Sequence, residues 1–256
     1  MKKLNVNTRN NQCKLKIILA VSILNIPMCI STAYATIALD RTRAIITSDE
    51  KSISLNITNE NKQFPYLANA WLENEKGEKI NEPFTVLPPI QRVEAGAASQ
   101  IKIQALPAAA ALPQDRESVF YFRLREIPPK NDTPNTMQLA VQSRIKLFYR
   151  PIGITQKNGP GATPWQEKMT LIQQNGQYIA NNPTPYFITI VAASTDKNSQ
   201  PIDKFEPVMI SPKTTQSLNI SVNTLGNTPV LTYVNDQGSR PTLKFTCQAN
   251  QCQVTR

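Results

Sequence analysis

Short stretches of alternating apolar and polar residues recur along this sequence, and they limit it to a β fold. The stretches are SISLNIT, QIKIQA, FYFRL, SLNISV and LKFTC. In each, apolar side chains fall on every second residue, which is the period of a half-buried strand. No segment keeps a helical period, and the Ala-rich run Ala108–Ala111 is too short, between Pro107 and Pro113, for a stable helix.

The number and spacing of these strands predict two β-sandwiches. MTLIQQNGQYIA is typical of a hairpin that turns at Asn175-Gly176. A sandwich of the immunoglobulin size needs about 100 residues, and the chain has 256. The boundary is expected near Pro151, before the loop-like ITQKNGPGATP, which gives domains at residues 36–152 and 153–256.

Residues 1–35 have the pattern of a secretory signal peptide. An apolar run of 14 residues, IILAVSILNIPMCI, is followed by small residues at Ala33 and Ala35. The alternative is a membrane anchor, but the run contains Pro27 and is shorter than the ~20 residues that a spanning helix needs. Five cations precede the run: Lys2, Lys3, Arg9, Lys14 and Lys16.

Removing the signal peptide changes the charge of the chain. The segment carries five cations and no acid, so the formal net charge falls from +10 to +5. The mature chain would begin at Thr36. A small positive surplus is usual for a solvated surface, so no nucleic-acid partner is expected.

Two cysteines remain after signal removal, Cys247 and Cys252, while Cys13 and Cys29 leave with the signal. In an oxidising compartment, the C-x4-C spacing favours one disulfide that closes a short hairpin. The alternative, a metal site, would need further ligands, and the chain has no histidine. We therefore expect the disulfide and no bound metal.

The lack of histidine also excludes several classes of enzyme. Ser-His-Asp triads, Cys-His pairs and the common zinc sites all require it. The sequence contains no G-x-x-x-x-G-K-[ST], G-x-G-x-x-G or G-x-S-x-G motif. We expect a protein without enzymatic activity and without a cofactor.

Several motifs together carry a family resemblance. They are IALDRTRAI, LPPIQRVEAG, LPQDRESVFYFRLREIPP, MQLAVQSRIKLFYRP and NPTPYFITI, with the cysteine pair at the end. In their residues and in their order along the chain, these motifs resemble those of the periplasmic pilus-assembly chaperones, over essentially the whole mature chain. The short connection between REIPP and NTMQLAV and the absence of cysteine from the first domain resemble the short-loop branch of that family.

The resemblance implies a fold and a function. The fold is two immunoglobulin-like domains set at an angle, with a cleft between them. The function is to bind newly secreted pilus subunits (pilins and adhesin), to lend each its missing strand, and to deliver it to an outer-membrane usher. An exposed apolar edge would give the unloaded chaperone a reason to self-associate.

The resemblance assigns the donor strand to the alternating residues Met137, Leu139 and Val141. Their side chains would enter the apolar groove of a subunit, while the main chain pairs with the subunit. The alternative is that these three residues face the core of their own sandwich. Alternation alone does not decide between the two arrangements.

Arg43 and Lys146 match the two basic residues that grip the subunit's C-terminal carboxylate in this family. The alternative is two ordinary surface cations. The order within DRTRA selects Arg43 rather than Arg41. Lys146 is even-numbered, whereas the donor residues are odd-numbered, so a regular strand would place it on the opposite face. Strand twist, a bulge or the domain junction must account for this.

Two further groups match the family. Glu117, Arg150 and Asp236 would form ion pairs that bridge the domains, the alternative being exposed pairs of little energetic weight. The proline-bearing surface is matched by Pro65, Pro88 and Pro89, and either X-Pro bond in LPP could be cis.

Two other protein classes compete with the chaperone hypothesis. A secreted pilus subunit or adhesin would have about one domain and would begin with a donor extension, which two full sandwiches and RIKLFYRP argue against. A histidine-free hydrolase has no supporting constellation of residues in this sequence.

Overall fold

The computed structural model describes residues 36–130, 137–155 and 163–255. The predicted signal peptide therefore lies outside the described residues. Ten strands form the first sandwich: β1 (Ile37–Leu39), β2 (Arg43–Thr47), β3 (Ser52–Asn59), β4 (Tyr66–Glu73), β5 (Lys79–Ile80), β6 (Phe84–Leu87), β7 (Ile90–Val93), β8 (Ala98–Ala105), β9 (Ser118–Ile127) and β10 (Gln142–Arg150).

Eight strands form the second sandwich: β11 (Thr170–Gln174), β12 (Gln177–Asn182), β13 (Ile188–Ser194), β14 (Val208–Ile210), β15 (Thr214–Ser221), β16 (Val230–Val234), β17 (Thr242–Gln248) and β18 (Gln251–Thr255). Within the described residues the helices are short: three 3₁₀ turns at Pro107–Ala111, Ile152–Ile154 and Trp165–Lys168, and one α-helical turn at Val222–Leu225. No helix in the described ranges has the length and apolar character needed to cross a membrane.

The first sandwich packs a four-stranded sheet, in the order β1-β3-β8-β6, against a larger sheet, in the order β2-β10-β9-β4-β5, with β7 also paired to β4. Alternation in the sequence fixes the core-facing side: Ile53 pairs with Ile103, and Leu55 with Ile101. Phe84 packs edge to face on Phe120, with ring centroids 5.2 Å apart. Such burial supplies the main stabilisation of the domain.

The second sandwich is one continuous sheet in the order β14-β13-β16-β17-β18-β11-β12-β15. Strands from both ends of this order contribute to one core, which includes Tyr178, Tyr186 and Phe245. The predicted hairpin joins β11 to β12, and both Asn175 and Gly176 have positive φ, at 52° and 72°. These are the angles that an Asn-Gly turn favours.

The two sandwiches meet at an apolar contact. Val119 and Phe148 of the first sandwich pack on Phe187 of the second, with Ile45 and Met209 at the margin. The rings of Phe148 and Phe187 lie 5.7 Å apart. Because Phe148 lies on β10, this strand contacts the core of its own domain on one face and the second domain on the other.

The Ala-rich run and the LPP motif of the first sandwich have distinct local structures. The Ala-rich run forms a single 3₁₀ turn rather than an α-helix, as its length requires. In LPP, the Leu87–Pro88 bond is cis, and so is Glu82–Pro83.

Candidate functional site

Arg43 and Lys146 lie side by side on neighbouring strands. β2 runs parallel to β10, and Lys146 is the register partner of Arg43. On β10, Ile145, Leu147 and Tyr149 belong to the core of the first sandwich, so the alternate residues Lys146 and Phe148 face the second sandwich. The two cations therefore share one face of the sheet, at the junction of the domains.

The Arg43 guanidinium is partly buried and incompletely hydrogen-bonded. One terminal nitrogen donates to the carbonyl oxygen of Val234, 3.3 Å away on β16. The Nε atom is buried and has no hydrogen-bond partner within the described ranges. Burial lowers the pKa of Arg43, and the charge of Asp236 opposes this shift. A buried donor without a partner favours binding of an acceptor there.

Lys146 is also partly buried, and its ammonium group donates to the Thr189 hydroxyl at 2.9 Å. Burial, followed by the positive charges of Arg43 and Arg144, lowers the pKa of Lys146 to about 8. No acidic side chain among residues 36–130, 137–155 and 163–255 forms an ion pair with Arg43 or Lys146. The site thus holds two adjacent, unneutralised cations, and a carboxylate is the complementary ligand.

The position of Lys146 on the opposite face from the odd-numbered residues needs no bulge in β10. Its pairing with β9 keeps one register from Gln142↔Arg125 to Tyr149↔Ser118. The Glu126 amide donates to the Val141 carbonyl, which extends that register by one residue. Lys146 does face away from the odd-numbered side chains, and the second domain lies on its face. The domain junction therefore explains how Lys146 reaches the second domain, and a bulge does not.

The side chains of the predicted donor segment are exposed, and its main chain is unpaired before Val141. Met137 is 83% exposed, Leu139 75% and Val141 42%. Their side chains therefore lie outside the core of their own sandwich, which was the alternative arrangement. The prediction of a strand here is wrong for the free chain, because β10 begins only at Gln142. β9 ends at Ile127 before two prolines, so Met137 to Leu139 have no strand to pair with on that side.

The other side of the strand is open as well. β2 begins at Arg43, opposite Lys146, so no β2 residue pairs with Gln142 to Ile145. The main chain from Met137 to Ile145 thus has a free edge on its β2 side within the described chain. Unpaired edges of this kind accept an additional strand.

Glu117, Arg150 and Asp236 are brought together across the domain junction. Nε of Arg150 donates to Glu117 at 2.8 Å, and both terminal nitrogens contact Asp236, at 2.8 and 3.2 Å. The second oxygen of Glu117 accepts the Phe187 amide at 2.8 Å. Burial opposes the charged form of Arg150, but Asp236 and Glu117 outweigh it and raise the pKa of that side chain. Only part of Asp236 is solvent-exposed, so these are not ordinary surface pairs.

The remaining predicted positions lie away from the cleft. Cys247 and Cys252 form the predicted disulfide across the β17–β18 hairpin, where they are register partners. Pro65, Pro88 and Pro89 lie next to β4 and β7, beside the exposed side chain of Ile90. No three His, Cys, Asp or Glu side chains of the described residues are grouped so as to bind a metal.

Three residues of the site were not predicted from the sequence. Thr189 and Val234 are an ordinary strand hydroxyl and a main-chain carbonyl, and no sequence signal distinguishes them. Glu126 did give a signal, since it occupies the inward position after Phe120, Phe122 and Leu124 in FYFRLRE. A buried carboxylate in an apolar alternation requires partners.

Comparison with known proteins identifies the family. The N-terminal domain of the PapD pili and flagellar-assembly chaperones matches residues 36–155, and the C-terminal domain of the PapD pili-assembly chaperone matches residues 164–245. The chain is 48% identical to the probable fimbrial chaperone YfcS of Escherichia coli K12 over 87% of each chain. It is 46% identical to the chaperone protein PapD of E. coli, over 89% of this chain and 93% of that one.

A solved structure supports the same fold and family. The periplasmic chaperone SfaE has a TM-score of 0.63 at 28% identity, over 81% of this chain and 98% of that one. The predicted all-β fold with two immunoglobulin-like sandwiches is thereby confirmed, as is the resemblance to chaperones. Matches to both chaperone domains also argue against a pilus subunit. The chain therefore belongs to the family of periplasmic pilus-assembly chaperones.

Proposed function

We propose that this chaperone captures pilus subunits, pilins and adhesin alike, by lending them the segment Met137–Val141 while Arg43 and Lys146 bind the C-terminal carboxylate. One observation carries the proposal. Two adjacent, partly buried cations without an acidic partner in the described chain, Arg43 on β2 and Lys146 on β10, lie close to an exposed apolar segment that leads directly into β10. A chain end that supplies both a carboxylate and an unpaired groove complements both features.

The cation pair would fix where the partner ends. A carboxylate between Arg43 and Lys146 can accept hydrogen bonds from both, including from the unpaired Nε of Arg43. Each charge-assisted bond contributes about 1.5–3 kcal/mol. Because a slip of one residue would turn every side chain of a strand to the other face, a fixed end also sets the register of the partner.

The donor segment would supply the hydrophobic part of binding. Met137, Leu139 and Val141 continue the odd-numbered series of the core residues of β10, but they are exposed and lie outside that core. Burying each of these side chains in a groove contributes roughly 1.5–3 kcal/mol. The free main-chain edge would satisfy the unpaired backbone groups of the partner.

We also propose that the chaperone acts in the periplasm and transfers its subunits without enzymatic activity. The signal pattern of residues 1–35 supports secretion into the periplasm. Delivery of subunits to an outer-membrane usher is what membership of the chaperone family implies. The lack of histidine and of nucleotide motifs supports a binding protein without enzymatic activity. The energy for transfer would then come from strand exchange.

A peptide experiment tests the carboxylate site. We expect a subunit's C-terminal peptide with a free carboxylate to bind roughly 10-fold or more tighter than its amidated form, as calorimetry would measure. Arg43→Ala and Lys146→Ala should each remove that preference while the melting temperature stays close to that of the parent. Arg41→Ala, two residues away and exposed, is the matched control. Equal binding of both peptides to the parent protein would contradict the proposal.

A further inference from the structure

Glu126 is a buried carboxylate that the proposed capture mechanism does not use. It lies near the end of β9, on the inward face, and is 3% exposed. One carboxylate oxygen accepts the main-chain amide of Ile37 at 2.9 Å, and the other accepts the amide of Val141 at 3.1 Å. Both bonds are charge-assisted, which makes them stronger than bonds between neutral groups.

These two amides belong to different parts of the first sandwich. Ile37 opens β1, which pairs with β3 in the four-stranded sheet. Val141 is the last residue before β10, in the opposite sheet. The Glu126 side chain thus connects the two sheets at the end of the sandwich where the donor segment leaves it.

The contact with Val141 also marks where the strand separates from its neighbour. The Glu126 amide donates to the Val141 carbonyl at 3.1 Å, as in an antiparallel ladder. The return bond, however, goes from the Val141 amide to the side chain of Glu126. The carboxylate takes the place of a main-chain acceptor at the last rung.

We infer that Glu126 is a positioning residue that clamps the base of the donor segment to β1 and so fixes the spacing between that segment and Lys146. Val141 is held at one point in the sheet, and Lys146 is fixed five residues later opposite Arg43. The strand between them keeps one register with β9. The clamp therefore sets where Met137 and Leu139 stand relative to the bound carboxylate. This last step rests on the proposed function.

Glu126→Gln tests the clamp with little change of shape. A glutamine offers one carbonyl oxygen and an NH2 group, so it can accept only one of the two amides, and its NH2 group then faces an N–H donor. In the purified, ¹⁵N-labelled full chain, we expect amide hydrogen exchange at Ile37 or Val141 to become at least 10-fold faster. Amides in β11–β18 should be unchanged. Glu75→Gln, in the exposed turn after β4, is the matched control.

A second readout concerns capture. A pilus subunit that co-purifies with the parent chain should bind Glu126→Gln roughly three- to tenfold more weakly, while the preference for a free over an amidated C-terminal peptide remains. Glu126→Asp keeps the charge on a shorter side chain and should recover part of both losses. If Glu126→Gln does not fold, the exchange measurement is made on Glu126→Asp.

The outcomes separate the clamp from the proposed function. Exchange at Ile37 and Val141 within twofold of the parent would overturn the clamp, whatever happens to capture. Faster exchange with unchanged capture would overturn its role in positioning the donor segment. Failure of the proposed function would appear elsewhere, as a parent chain that does not distinguish the free peptide from the amidated one.

Discussion

Burial acts differently on the charges of Arg43 and Lys146. A guanidinium keeps its proton in proteins even when its pKa falls, whereas a lysine ammonium loses it readily when buried. Lys146 has its pKa lowered to about 8 by burial and by the neighbouring positive charges of Arg43 and Arg144. One cation of the pair is therefore constant, and the other titrates just above neutral pH.

Carboxylate binding should weaken as pH rises through this range. A bound carboxylate favours protonated Lys146, so binding is strongest below pH 8 and is lost progressively above it. We expect the affinity for a free-carboxylate peptide to fall roughly tenfold between pH 7 and pH 9.5, since most of the lysine is then neutral. Lys146→Arg should remove this dependence. A flat pH profile in the parent protein would contradict the shifted pKa of Lys146.

At the scale of the element, β10 is one regular strand that serves different purposes on its two faces. Its odd-numbered residues Ile145, Leu147 and Tyr149 belong to the core of the first domain. The even-numbered residues Lys146, Phe148 and Arg150 contact the second domain. Alternation in MQLAVQSRIKLFYRP predicts the two faces correctly. It does not show that a second domain covers one of them, because that depends on residues such as Phe187, far along the chain.

The same strand shows where sequence patterns stop being informative. The buried half of the alternation, from Ile145 onward, forms the predicted strand. The first half has the same pattern, but its main chain has no neighbour to pair with before Val141, so Met137–Val141 stays outside β10. A strand requires a partner as well as a pattern, and the partner of this segment would be another protein. The roles of Arg43 and Lys146 likewise came from family resemblance, since isolated cations are usually surface residues.

Charge substitutions in the donor segment test this arrangement. Leu139→Glu should weaken subunit capture at least 10-fold, because a carboxylate would have to enter an apolar groove. Ala140→Glu adds the same charge on the opposite face of an extended chain and is the matched control; it should have a much smaller effect. Capture is measured by the yield of subunit that co-purifies. Equal yields from both variants would mean that this segment does not enter the groove.

At the scale of the whole molecule, the junction of the two sandwiches shapes the cleft. Arg43 reaches Val234 and Lys146 reaches Thr189, so both cations are held partly by the second domain. The buried contact of Phe148 with Phe187 and the ion pair of Arg150 with Asp236 connect the same domains nearby. The geometry of the carboxylate site therefore depends on how firmly the domains are joined.

Two ion pairs at the domain junction lie in different environments and allow a direct comparison: Glu117–Arg150, within the first domain, and Asp115–Lys213, which crosses to the second. Glu117 is buried and binds both Arg150 and the Phe187 amide. Lys213 contacts Asp115 at 2.7 Å on the surface. Without Glu117, Arg150 would still be paired with Asp236, but Nε of Arg150 and the buried Phe187 amide would lose their acceptor. Exposed pairs such as Lys213–Asp115 contribute little.

Glu117→Ala should therefore lower the free energy of unfolding by about 1–3 kcal/mol for each buried donor left without an acceptor, and Lys213→Ala should leave it unchanged within error. Urea denaturation followed by tryptophan fluorescence measures both. Because the cleft spans the junction, Glu117→Ala should also weaken binding of the free-carboxylate peptide, although Glu117 does not contact Arg43 or Lys146. If that variant loses stability but binds the peptide like the parent, the ion pairs stabilise the fold without setting the geometry of the cleft.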